Sequence, residues 1–245
     1  LGVEGEGWLC PLLDACNHAT SHPITWLAEP SSVGFVAGQD IPAGAEIFNN
    51  YGPKPNEELL FAHGFAVPNS PHDVAKVSLA CMKKGEVISL GTFDIRHLDH
   101  GGIPRELFLA LASLSGTATT LEDEQPVVTT SELALLAQGL EIQMQKIQVS
   151  EVVDRIILEA HAHGRLEIST VPMAHQIQIR PGRRVFASAE RFAAAAYVGG
   201  QRGIMEEALE AVVNAIEDVD ESGGEDSGEE EEDGEYVPPV WDMDV

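Results

Sequence analysis

The sequence predicts an α+β fold, and three observations carry that prediction. Over 1–93, short apolar stretches are cut by turn signals rich in Gly and Pro, as in strands joined by loops. Over 103–217, apolar residues recur at three- and four-residue spacing, which marks a mostly α-helical lobe. Over 218–245 the chain becomes acidic and poor in apolar groups. Such a segment buries too little to offset its ordering entropy, so it is expected to be a disordered tail.

Taken in order, Val33-Gly34-Phe35-Val36-Ala37 and Glu46-Ile47-Phe48 are strand-like, separated by the turn Ile41-Pro42-Ala43-Gly44. Asn56 is placed to cap a short helix through Glu57, Glu58, Leu59, Leu60 and Phe61, ending near Gly64. Two further strands, over 74–81 and 87–90, flank the turn Lys83-Lys84-Gly85. Pro104 suits the first turn of a helix carrying Leu107, Phe108, Leu111 and Leu114. Ser131 caps a second helix whose face holds Leu133, Leu136, Leu140, Met144 and Ile147, and the pattern runs on through Val153 and Ile156 to Gly164. A third helix covers 186–217, with a kink expected at Gly199-Gly200. Residues 115–130 and 165–183 read as loops, with short strands possible over 167–171 and 176–179. After the acidic run, 236–241 reads as a frayed end or a short docking segment.

Charge and cysteine usage bound the function. The formal net charge is −26, and residues 217–245 hold 14 acidic side chains and no Lys or Arg. The remainder keeps 26 acidic against 14 basic residues, a net of −12. An acidic surface repels phosphates and steers basic partners, which argues against direct nucleic-acid binding and suits a basic protein substrate. No apolar run approaches the roughly 20 residues that span a bilayer, so no membrane role is expected. Cys10, Cys16 and Cys81 form no paired motif and are expected as reduced thiols, in a cytoplasmic or nuclear protein without structural zinc. His18, His22 and His63 lack the spacing of a metalloprotease helix, so no metal site is assigned.

Three clusters carry chemistry: DACNH at 14–18, NNYG at 49–52 and HGF at 63–65. Alone, each fits a satisfied polar corner or a structural tyrosine. Joined as PLLDACNHA at 11–19 and AGAEIFNNYGPKPNEELLFAHGFAVP at 43–68, they resemble the second half of a SET domain. The likeness is to the branch with the Rubisco large-subunit and ribosomal-protein lysine methyltransferases and the related actin-histidine methyltransferase. It covers 1–93 as the C-terminal part of a SET domain. More loosely, it covers 103–217 as that branch's substrate-binding-like helical lobe.

The resemblance implies S-adenosyl-L-methionine as cofactor and methyl transfer to a side chain of a protein, ribosomal or otherwise non-histone. Lysine is the first target; histidine, or a catalytically silent module that binds a basic partner, is the alternative. It implies that Asn17 contacts the amino-acid end of the cofactor and that the backbone of His18 pairs with its adenine. Asp14 holds that segment, Phe65 packs on the adenine, and Gly64 admits the close backbone. Tyr51 is the implied catalytic residue, orienting the target amine. Phe48 and Phe61 are candidates to line an apolar channel, with core packing as the alternative for each. Asn49 and Asn50 are expected to support the backbone. The family's Gly-x-Gly cofactor strand is not assigned here, and GVEGEG at 2–7 does not match it. The first residue, Leu1, leads to the expectation that the native protein extends upstream, with this chain carrying about half of the cofactor pocket.

Overall fold

The computed structural model describes residues 10–29, 32–115, 126–147, 151–169, 178–180, 184–222 and 235–236. It mixes helices with small sheets, an α+β arrangement. Compactness divides the chain into two units, Leu1–Lys54 and Pro55–Val245.

In the first unit, strand β1 (Ile24–Glu29) pairs antiparallel with β2 (Ser32–Ala37). Trp26 and Phe35 face each other across the pair, with ring centroids 4.5 Å apart and edge to face. Residues 33–37 are strand as the sequence predicts. Glu46-Ile47-Phe48 is not: among the described residues, the extended segment pairs only at Asn49, in a single parallel bridge to His18. The apolar character of 46–48 is real, but Ile47 is exposed and no partner strand among the described residues continues the ladder.

The second unit opens with helix α1 (Asn56–His63), closed by Gly64 in the left-handed region at φ 78°. Pro55, not Asn56, stands at its N-cap and offers no side-chain acceptor. Strands β3 (Ala75–Lys83) and β4 (Glu86–Ile95) form an antiparallel hairpin. Lys84 and Gly85 both have positive φ, 53° and 84°, as the tight turn between right-twisted strands requires. Alternation sends Ala75, Val77 and Leu79 inward.

Helix α2 (Arg105–Ser115) follows directly after Pro104. A two-residue strand β5 (Val128–Thr129) leads into α3 (Thr130–Lys146). The cap here is Thr129 rather than Ser131: its hydroxyl accepts from the Glu132 N–H while Glu132 accepts from the Thr129 N–H. The expected long helix is two helices. Ile147 leaves the helical region at ψ 74°, and α4 (Glu151–Ala162) begins anew before Gly164. The apolar stripe continues on both sides of the break, so periodicity alone cannot reveal it.

A three-stranded sheet follows, of β6 (Leu166–Ser169), β7 (Gln178–Arg180) and β8 (Arg184–Ser188), ordered β6-β8-β7. Helix α5 (Ala189–Ser222) then runs unbroken through Gly199 and Gly200 and past 218, into the range expected to be tail. Its Ala- and Glu-rich end has the propensity to continue. Residues 223–234 and 237–245 lie outside the described residues. Between them, β9 (Glu235–Tyr236) pairs antiparallel with β5, so Tyr236 returns to the body through its backbone. The main core is built by the hairpin β3–β4 together with α2, α3 and α5, with Val77, Ile95, Leu111, Leu136, Leu140 and Ile204 at its centre. Among the described residues, no helix is long and apolar enough to cross a membrane.

Candidate active site

Asn17, His18 and Tyr51 come together within the first unit, around the single parallel bridge. The Asn49 N–H donates to the Asn17 carbonyl at 2.8 Å, and the Asn49 carbonyl accepts from the Ala19 N–H at 2.9 Å. Two segments some thirty residues apart are thereby laid side by side. Asp14 starts the first of them. Its carboxylate accepts from the Cys10 N–H at 2.7 Å and its own N–H donates to the Cys10 carbonyl, closing the preceding turn. The Asn17 amide donates to Glu46 Oε1 at 2.6 Å, which fixes its rotamer.

Tyr51 is held at both ends. Its backbone N–H donates to His18 Nδ1 at 3.1 Å, and its hydroxyl donates to the Cys16 carbonyl at 2.9 Å. The His18 and Tyr51 rings stack with a tilt of 32° and centroids 5.1 Å apart. Because a carbonyl cannot donate, the phenol proton belongs to this bond and the phenol oxygen presents lone pairs. Asn50 supports the turn as expected: its Oδ1 accepts from the Gly52 N–H at 3.0 Å and its amide reaches the His22 carbonyl at 3.4 Å. Gly52 sits at φ 94°, which an L side chain rarely adopts. Asn49 is buried, and its Oδ1 has no hydrogen-bond partner among the described residues. A buried acceptor left so costs about 1–3 kcal/mol unless a donor reaches it.

Gly64 and Phe65 belong to the second unit. Gly64 is glycine because the helix end demands positive φ, its N–H closing on the Leu60 carbonyl at 3.1 Å; a Cβ there would meet nothing within 4 Å. Phe65 is half-buried, its ring 6.1 Å from that of His63. The segment after it is pinned by Asn56. Asn56 Oδ1 accepts from the Val67 N–H at 2.7 Å, and Nδ2 donates to the Val67 carbonyl and to Asp73 Oδ2, both at 2.9 Å. Asp73 Oδ1 accepts from the Asn56 N–H at 3.0 Å. Burial raises the Asp73 pKa above the ordinary carboxylate range, and these hydrogen bonds partly oppose that rise.

Phe61 does not pack in a core: it is 94% exposed on α1. Phe48 meets His22 edge to face at 5.9 Å. Three participants were missed in the sequence. Glu46 had a place in the motif but no role until Asn17 met it. Cys16 acts through its carbonyl, which no residue type can signal. Asn56 reads as a cap because capping is the usual task of that residue type at a helix start.

No family model matches the chain. Among curated proteins, it is 40% identical over 80 residues to a ribosomal lysine N-methyltransferase of Schizosaccharomyces pombe, covering 31% of this chain and 15% of that protein. It is 33% identical over 78 residues to an N-lysine methyltransferase of Bos taurus, covering 31% of this chain and 17% of the relative. An actin-histidine N-methyltransferase of Gallus gallus is 33% identical over 107 residues, 43% of this chain and 18% of the relative. The chain is thus homologous to protein methyltransferases, and it spans less than a fifth of the length of these relatives.

Proposed function

We propose that this chain forms part of a protein methyltransferase that uses S-adenosyl-L-methionine and acts on a lysine of a non-histone protein. The observation that carries this reading is the doubly anchored Tyr51 beside Asn17 and His18, in a chain whose relatives transfer methyl groups to protein side chains.

The residues present fit such a cofactor. The buried Asn49 Oδ1 has no donor among the described residues, and an ammonium group is a donor of the right kind. Asn17 and the backbone of His18 would hold the cofactor, with Asp14 keeping their segment in place. Phe65 would offer the adenine an apolar face beside Gly64. When bound, the cofactor supplies an electrophilic methyl group on a positively charged sulfur.

The chain's own task is then placement. Displacement at that methyl is in line, so the attacking nitrogen must be neutral with its lone pair aimed along the bond. Alignment of this kind removes several kcal/mol of a barrier. Tyr51 is suited to orient rather than to deprotonate: its proton is engaged by the Cys16 carbonyl, so its oxygen accepts from the N–H of a neutral amine. Lysine, with a free pKa of about 10.4, must lose its proton before it docks. The acidic surface favours a basic substrate protein.

Tyr51→Phe in the full-length protein should lower transfer of labelled methyl groups to a basic protein by about 100-fold, with cofactor affinity largely kept. Undiminished transfer would sink the assignment. A second reading, histidine as the target, is supported by the matches to actin-histidine N-methyltransferases over 107 and 106 residues, longer than the 80 and 78 residues matched in the two lysine methyltransferases above. Mass spectrometry of the labelled product separates the two.

A further inference from the structure

Beyond the backbone role given to His18, its side chain makes a contact that no cofactor contact explains. The imidazole Nδ1 lies 3.1 Å from the Tyr51 nitrogen and accepts its N–H. The two ring centroids lie 5.1 Å apart, with the planes tilted by 32°. At the far end of the same tyrosine, the hydroxyl is fixed on the Cys16 carbonyl, two residues before His18. One short segment, 16–18, therefore grips Tyr51 at its backbone and at its reactive oxygen.

We infer that the His18 imidazole is a positioning residue for Tyr51, acting as a hydrogen-bond acceptor that sets where the phenol oxygen stands. This rests on the reading of Tyr51 as the residue that orients the target nitrogen. The chemistry of the bond fixes the ring's state. An N–H can be accepted only by an unprotonated nitrogen, so Nδ1 carries the lone pair and the proton sits on Nε2, which lies 3.4 Å from the Thr20 hydroxyl. Backbone pairing through Asn49 lays the two segments together, and past it the Asn50 side chain supports the turn through Gly52 at φ 94°. Past the bridge, the imidazole ties the tyrosine backbone to the 16–18 segment. A sub-ångström drift of that backbone is carried to the phenol oxygen, and in-line transfer is sensitive to displacements of that order.

Two substitutions separate accepting from packing. His18→Asn offers an amide oxygen near the Nδ1 position and removes the ring. His18→Phe keeps a flat ring against Tyr51 and removes the acceptor. In the full-length protein, His18→Phe should lower kcat about tenfold while KM for the cofactor stays within about twofold, and His18→Asn should recover most of that loss. The Tyr51 amide resonance should move in the Phe variant and return toward its wild-type position in the Asn variant. Nitrogen-15 spectra of the wild-type ring should show Nδ1 unprotonated. A proton on Nδ1, or a Phe variant as active as the Asn variant or more so, overturns the inference. A wild-type protein that transfers no methyl group refutes the reading of Tyr51 instead; the ring spectrum still decides the His18–Tyr51 bond.

Discussion

Asn56 closes four hydrogen bonds at once, three through its side chain to Val67 and Asp73 and one through its N–H, and it is completely buried. Truncation leaves the Val67 N–H and an Asp73 oxygen without partners inside the protein. Asn56→Ala should therefore cost about 2–4 kcal/mol in urea unfolding, far more than the loss of an exposed helix cap. Asp73 gives a pH test of the same cluster. Its native pKa is raised above 3.8, chiefly by burial. Between 3.8 and the native value, the folded state retains a proton that the unfolded chain has released. The contribution of Asp73 to stability is thus full below 3.8 and declines as pH rises through the native pKa. A carbon-13 titration of the Asp73 carboxyl should show a midpoint above 3.8; one at or below that value would contradict the burial argument.

Helix α5 packs against α1, α3 and α4, and its two adjacent glycines serve that packing rather than a kink. A Cβ on Gly200 would fall 2.3 Å from Asp73 Oδ2, an atom of a fully buried carboxylate held by a hydrogen bond from Asn56. A Cβ on Gly199 would fall 2.7 Å from Leu158 Cδ1, the end of a side chain that can rotate. Helix propensity favours alanine equally at both sites, by about 1 kcal/mol. Gly200→Ala should then destabilise by about 2 kcal/mol or more, and Gly199→Ala should remain near neutral. Equal melting temperatures for the two variants would refute this account. At the start of α3, loss of the Thr129 hydroxyl in Thr129→Ala should cost about 1 kcal/mol in urea unfolding. The elements themselves were largely legible. The hairpin 75–95 announces itself by alternation and by Lys84-Gly85, and α1 by its closing Gly64. The break after Lys146 was not, because a stripe every three or four residues continues across it.

At the scale of the whole chain, charge is the property with reach. A net of −26 attracts basic proteins over distances that salt shortens. The association rate with a basic substrate should fall about tenfold or more as ionic strength rises from low to physiological, in stopped-flow measurements. A rate indifferent to salt would remove the acidic surface from the account of substrate choice.

The sequence by itself determined the α+β class, the acidic balance, most helices and the cluster NH…NNYG…GF, because each is written in local composition, spacing or motif order. It also placed Tyr51 at the centre of interest. The tertiary structure alone decided what holds that tyrosine. The Cys16 carbonyl, the His18 ring nitrogen and the Glu46 partner of Asn17 act across 29 to 35 residues of chain, and one of them is backbone. Asn56 was moved from cap to buried pin for the same reason. A hydrogen bond between distant segments depends on which groups folding brings within about 3.2 Å, and that distance is not a property of any window of sequence.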